Sequence, residues 1–64
     1  MKHQFKNKYN ILIEDERNPA NLRRVATING HDLAFEFALF LAASRHVTIW
    51  MTAKDNRLIH RIPG

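Results

Sequence analysis

Cysteine is absent from this chain, which excludes disulfides, thiolate metal sites and cysteine nucleophiles. Glycine is scarce, and because Gly30 and Gly64 are far apart, no glycine-rich loop can cradle a phosphate. Long apolar runs are also missing: the longest, residues 33–43, is interrupted by Glu36, whereas a membrane-spanning helix needs about 20 apolar residues. With these classes excluded, we expect a small globular domain that is stabilised by packing of its side chains.

The 64 residues allow one small core, since chains of this size bury only roughly 60% of their unfolded surface. Ten lysines and arginines against six acidic residues give a net charge of +4, a surplus compatible with solubility or with weak attraction to polyanions. The basic N-terminus lacks the apolar segment and cleavage site of a signal peptide. We therefore expect a complete cytoplasmic product, a single domain spanning 1–64 in which residues 1–8 form a flexible basic arm.

Two β-rich segments, residues 9–17 and 22–28, predict a first hairpin with its turn at Pro19 and Ala20. Folding about this turn places Glu16 opposite Arg23 and Asp15 opposite Arg24, two favourable cross-strand pairs. Alternation then puts one set of side chains on the face towards the core: Ile11, Ile13, Ala26 and Ile28. It puts another on the outer face: Leu12, Glu14, Glu16, Arg23, Val25 and Thr27.

A second hairpin is predicted from residues 47–53 and 58–62, with a tight turn at Asp55 and Asn56. The register pairs Ile49 with Ile62, Met51 with His60, Trp50 with Arg61, Thr52 with Ile59, and Ala53 with Leu58. The outer face would then carry Thr48, Trp50, Thr52, Ile59 and Arg61.

Residues 31–46 predict one helix that is apolar almost all the way round. At 100° per residue, the expected core stripe is Leu33, Phe37, Phe40 and Leu41. Three apolar residues fall outside this stripe and are expected to mediate self-association: Phe35, Leu39 and Ala42. The fold class is therefore α+β, a ββαββ arrangement with a four-stranded antiparallel sheet of two hairpins, spatial order 2-1-3-4, and the helix on one face.

Catalytic and metal-binding constellations are not visible. The four histidines, His3, His31, His46 and His60, lack ligand spacing. Asp32 and Glu36 could serve as an acid–base pair but occupy the only polar edge of the helix, and Ser44 has no orienting partner. We expect a protein that is not an enzyme and that needs no metal or cofactor.

The outer sheet face carries an apolar band beside arginines, the composition of interaction hot spots. We predict a partner-binding surface with a cation–π pair between Trp50 and Arg61, although isolated exposed apolar residues are also common on surfaces. Its residues are Trp50, Arg61, Arg23, Leu12, Val25 and Ile59.

These features favour a protein-binding module, homodimeric, that inhibits or adapts a larger protein target in the manner of small phage or mobile-element accessory proteins. The alternative is a nucleic-acid-binding module that uses stacking on Trp50 and a basic surface. Its contacts would be Lys6, Lys8, Arg23, Arg24, Lys54, Arg57 and Arg61.

Overall fold

The computed structural model describes residues 7–64, which form two β-hairpins separated by one helix. The strands and helix are β1 (Lys8–Glu14), β2 (Leu22–Asn29), α1 (His31–Arg45), β3 (Ile49–Ala53) and β4 (Leu58–Ile62). All strand pairs are antiparallel and the spatial order is β2-β1-β3-β4. The predicted ββαββ fold and its strand order are therefore confirmed. The N-terminal arm, residues 1–8, lies largely outside the described residues, and Lys8 begins β1.

The helix packs on the sheet through a face made mostly of small residues. Its buried side chains are Ala34, Ala38, Leu41 and Ala42, which lie over the fully buried Ile11, Ile49 and Met51 of the central strands. The predicted core stripe is confirmed for Leu41, which is buried, and Phe37 packs partly against the core. It is wrong for Leu33 and Phe40, which are 57% and 65% exposed. Alanines allow the helix to lie close over bulky strand residues, whereas phenylalanines would hold it away.

The first hairpin has a different register from the predicted one. Ile11 lies opposite Ala26, whereas the turn predicted at Pro19 and Ala20 would place it opposite Ile28. The ladder shifts by one residue between Ile11 and Leu12, so that Val25 is left without a partner in a β-bulge. The predicted pairs of Glu16 with Arg23 and Asp15 with Arg24 are wrong.

The loop between β1 and β2 explains this difference. The backbone N–H of Arg17 donates to Oδ1 of Asp15 at 2.9 Å, and that of Ala20 donates to Oδ1 of Asn18 at 3.3 Å. Two successive turns, each with such a bond, therefore occupy residues 15–21. Asp15 is consequently used in the loop instead of in a strand pair.

The second hairpin keeps the predicted register only away from its turn. Trp50 pairs with Arg61, as predicted, but the ladder then shifts and Thr52 lies opposite Leu58 instead of Ile59. Asn56 adopts a left-handed conformation at φ 70° within the turn. The N–H of Ala53 donates to the carbonyl of Arg57 at 2.8 Å, which makes the loop longer than the predicted two-residue turn.

The helix is bounded by two residues of positive φ. It begins after Gly30, at φ 96°, without a side-chain capping bond, and ends at His46, at φ 56° and ψ 44°. The N–H of Gly30 donates to the carbonyl of Asn7 at 2.9 Å, which joins the helix start to the beginning of β1. Within residues 7–64, α1 falls short of the length and apolarity that a membrane-crossing helix requires.

Candidate binding surfaces

The outer face of the sheet gathers three of the predicted partner-binding residues in one cross-strand row. Leu12 of β1 lies opposite Trp50 of β3, and Trp50 lies opposite Arg61 of β4. On the other side of Leu12, the row ends at Arg24 of β2. Leu12 and Trp50 are half-buried, while Arg24 and Arg61 are exposed. An apolar centre between two arginines is thus presented on the face opposite the helix.

Glu14 organises this row, and the sequence interpretation did not assign it a role. The Trp50 indole N–H donates to Oε2 of Glu14 at 2.6 Å, and Nε of Arg61 donates to the same oxygen at 2.9 Å. Nη2 of Arg61 lies 3.4 Å from Oε1 of Glu14. The side chain of Glu14 is only 10% exposed. The predicted placement of Glu14, Trp50 and Arg61 on one face was the signal that could have indicated this network.

The electrostatics of Glu14 follow from these contacts. The hydrogen bond from Arg61 and then that from Trp50 lower the pKa of Glu14, and the charge of Arg61 adds to this effect, while desolvation opposes it. Glu14 is therefore held as a carboxylate, and the guanidinium of Arg61 is directed to it. The predicted cation–π role of Arg61 is thereby replaced by a hydrogen-bonded ion pair.

The three other predicted partner-binding residues do not join the row. Arg23 lies opposite Ile13, a buried residue of the helix-facing side, and Val25 is the bulged residue. Ile59 packs against the core cluster. The outer-face assignment is wrong for Arg23 and Ile59, because the bulges change the alternation of side chains along β2 and β4. Val25 is exposed at its bulge, and its role in partner binding stays a prediction.

Leu58 takes the position expected for Ile59, and Arg24 replaces Arg23 as the arginine that β2 contributes to the outer face. Leu58 lies opposite Thr52 and is 45% exposed. Arg24 lies opposite Leu12. The bulges therefore replace Ile59 by Leu58 and Arg23 by Arg24 on the outer face, which still carries apolar side chains beside arginines.

A polar row runs beside the Trp50 row. The Thr27 hydroxyl donates to Oδ1 of Asn10 at 2.9 Å, and Asn10 lies opposite Thr52. Thr52 is 3% exposed, and its hydroxyl has no hydrogen-bond partner among residues 7–64. A buried hydroxyl without a partner costs stability.

The helix presents a second apolar stripe to solvent. Leu33 and Phe40 are its most exposed residues, Phe37 between them is half-buried, and Leu39 beside them is 43% exposed. We refer to Leu33, Phe37 and Phe40 as the outer helix stripe.

The predicted self-association residues are divided by this geometry. Only Leu39 is exposed; Ala42 is 3% exposed and belongs to the core, so its assignment to a surface contact is wrong. Phe35 is half-buried, with its ring centroid 4.7 Å from that of His60. Phe35 therefore closes the side of the core instead of facing solvent fully.

The basic residues of the nucleic-acid alternative fall into separate groups. Lys8, Lys54 and Arg57 line one open cleft of about 690 Å³. Arg24 and Arg23 lie opposite Leu12 and Ile13, four and five residues along β1 from Lys8, which is about 13–17 Å at the usual rise of a strand. Lys6 lies outside the described residues. The structure thus does not join these residues into one continuous surface.

The histidines of the described chain include a close pair, His31 and His60, with ring centroids 5.6 Å apart. Nδ1 of His31 lies 3.2 Å from Oδ1 of Asp32. Within residues 7–64, no group of three or more histidine and carboxylate side chains is assembled in a way that could hold a metal ion.

Comparison of the chain with protein-family models, curated proteins and solved structures gives no match. Function must therefore be argued from the surfaces described above.

Proposed function

We propose that the protein is a non-enzymatic protein-binding module that works as a homodimer and inhibits or adapts a larger protein. The observation that carries the proposal is the outer helix stripe, since Leu33 and Phe40 of this stripe lie mostly in water. Phe40 is 65% exposed although Ala34 and Ala38 of the same helix are fully buried. Exposed apolar patches of this kind mark interaction sites.

A second copy of this chain is the occupant that the stripe fits best. Leu33, Phe37 and Phe40 are spaced by four and three residues, which is the spacing of a two-helix seam. Asp32 lies in the first turn of the helix and Arg45 in the last. Antiparallel pairing about a two-fold axis brings the acidic end of each helix towards the basic end of the other, and it also opposes the helix dipoles.

Measurement of the oligomeric state tests this part of the proposal. Sedimentation velocity at about 100 μM should give a dimer, because weak complexes have micromolar affinities. Phe40→Glu should give a folded monomer. Leu58→Glu is the matched control, because it also places a carboxylate on an exposed apolar residue but lies on the sheet; it should remain dimeric. A native monomer at this concentration, or equal loss of dimer in both variants, would refute the homodimer.

The outer sheet face is the surface proposed for the larger target. Glu14 is the only carboxylate on the described strands, and it is already bonded to Trp50 and Arg61. The charge left in this row is that of Arg24, so the complementary target surface is acidic. Trp50 and Leu12 supply the apolar centre that such interfaces contain.

Co-purification with nuclease treatment tests target binding. A partner retained after nuclease and lost with Arg24→Glu supports the proposal, provided that the purified pair binds with the same dependence on Arg24. Arg23→Glu is the control, because it makes the same charge change at the neighbouring exposed residue, which lies on the other side of the sheet. A partner removed by nuclease, or equally weakened by both variants, would refute a protein target on this face.

Nucleic-acid binding is the second candidate function, and the cleft lined by Lys8, Lys54 and Arg57 favours it. Binding to a generic oligonucleotide that weakens steeply with salt would support this candidate, because phosphate contacts release counterions. Elution from heparin at low salt would argue against it.

A further inference from the structure

We infer that the cleft between the start of β1, the β3–β4 turn and the start of the helix binds a nucleoside phosphate. The cleft has a volume of about 690 Å³, within the usual range of roughly 300–1,000 Å³ for small-molecule sites. It is formed by three chain segments that meet because Tyr9 lies opposite Ala53 and the N–H of Gly30 bonds to the carbonyl of Asn7. The inference rests on neither the homodimer nor the protein target.

The charges of the cleft favour an anion. Lys8, Lys54 and Arg57 line it, against one carboxylate, that of Asp55. Oδ1 of Asp55 accepts the backbone N–H of Arg57 at 3.2 Å, so this carboxylate takes part in the turn. Among the described residues, none of the three cations has a carboxylate within ion-pair distance. Three uncommitted donors around one cleft suit the oxygens of a phosphate.

The walls of the cleft favour an aromatic group attached to that anion. The rings of Tyr9 and His31 meet edge to face with centroids 5.7 Å apart, and both residues are half-buried. Ala53 and Ile59 provide the apolar part of the lining. Aromatic side chains stack on nucleobases of any sequence. A cleft lined both by cations and by aromatic rings therefore matches the two parts of a nucleotide.

Titration of the full chain with four probes tests the inference, with amide chemical shifts as the readout. The probes are adenosine monophosphate, adenosine, inorganic phosphate, and a short single-stranded oligonucleotide with or without a 5′-phosphate. Adenosine monophosphate should shift the amides of Lys8, Tyr9, His31 and residues 53–59, and should bind more tightly than adenosine or phosphate alone. The oligonucleotides distinguish a free nucleotide from the 5′ end of a strand as the natural ligand. Binding of the 5′-phosphorylated strand more tightly than adenosine monophosphate identifies a strand end, and equal or weaker binding identifies the free nucleotide.

Paired double variants provide the control for non-specific attraction. Lys54→Ala with Arg57→Ala should weaken nucleotide binding by about tenfold or more, as expected for the loss of charge-assisted hydrogen bonds. Arg23→Ala with Arg24→Ala removes the same charge at the other end of the sheet and should leave affinity within about twofold. All four side chains belong to exposed residues, so both variants should keep the native circular dichroism spectrum. Equal weakening by both pairs, binding of phosphate as tight as that of the nucleotide, or absence of shifts at the cleft would overturn the inference.

Discussion

The indole N–H of Trp50 donates to Oε2 of Glu14 across 2.6 Å, and this bond links the third strand of the chain to the first on the face opposite the helix. Arg61 of the fourth strand donates to the same oxygen at 2.9 Å. One carboxylate thereby joins side chains from three strands. The Trp50 ring is fixed in orientation by a charge-assisted bond, so the side chains of the outer face have a defined arrangement.

Replacement of Glu14 should change how stability depends on pH. Because the pKa of Glu14 is lowered in the folded state, its stabilising effect is present above its ordinary pKa of 4.5 and is lost as the pH falls through the lowered value. Glu14→Gln should therefore lower the urea midpoint at pH 7 and make the decline of stability below pH 4.5 shallower. Glu16→Gln, in the exposed loop, is the control and should leave the curve unchanged. Parallel curves for native protein and Glu14→Gln would contradict this prediction.

The two donors to Glu14 should affect its pKa unequally. Arg61 supplies the larger effect and Trp50 the smaller, so the pKa of Glu14 should rise more in Arg61→Gln than in Trp50→Phe. Trp50→Phe keeps an aromatic ring while it removes the N–H donor. Carboxyl chemical shifts followed through an acid titration measure both changes. A Glu14 pKa unaffected by Trp50→Phe would show that the 2.6 Å contact is not a hydrogen bond in solution.

The elements of the fold could be predicted from the sequence because each has a clear period and boundary. Alternating β-branched residues around Ile11 and Ile49 predicted the central strands, and a two-residue period suffices to place Trp50 and Arg61 on one face. The strand order depended in addition on the expectation that the helix between β2 and β3 crosses the sheet in a right-handed sense. These features depend on local pattern and chain connectivity alone.

The details that failed depend on volumes and on loop geometry. The helix is apolar on both sides, so its periodicity could not show whether the face of Ala34 and Ala38 or that of Leu33 and Phe40 packs on the sheet. The small volume available above Ile49 and Met51 favours the alanine face. Two bulges occur, at Val25 and Ile59, because the loops set the strand register. The cross-strand charge pairs used for the prediction do not indicate this register. Each bulge altered which neighbour reached the outer face.

A larger residue on the buried helix face should destabilise the protein. Ala38 is fully buried against the sheet, so Ala38→Leu should overpack the core and cost about 1–3 kcal/mol. Ala43 is exposed on the same helix, and Ala43→Leu should change stability by less than about 0.5 kcal/mol. Urea unfolding followed by circular dichroism measures both. Equal effects would mean that the helix does not approach the sheet through its alanines.

Removal of the buried Thr52 hydroxyl should stabilise the fold. Thr52→Val keeps the shape and β-branching of the side chain but removes a polar group that lacks a partner among residues 7–64. The gain should be about 1 kcal/mol, the usual scale for a buried unsatisfied group. Thr27→Val is the contrasting variant, because the Thr27 hydroxyl donates to Asn10, and it should be neutral or destabilising. A loss of stability in Thr52→Val would indicate that this hydroxyl has a partner in solution.

The residues at the two ends of the helix, Gly30 and His46, both have positive φ. Glycine at either position should therefore give a higher melting temperature than a residue with a Cβ. His46 occupies the left-handed region at φ 56°, which strains a residue with a Cβ by about 1–2 kcal/mol. His46→Gly should therefore raise the melting temperature, after part of this gain is offset by the greater freedom of glycine in the unfolded chain. Gly30, at φ 96°, is already glycine and is buried, so Gly30→Ala should lower the melting temperature because alanine is strained at that φ. Thermal unfolding at matched protein concentration measures both changes, and a lower melting temperature for His46→Gly would mean that the histidine side chain stabilises this end of the helix by more than its backbone strain costs.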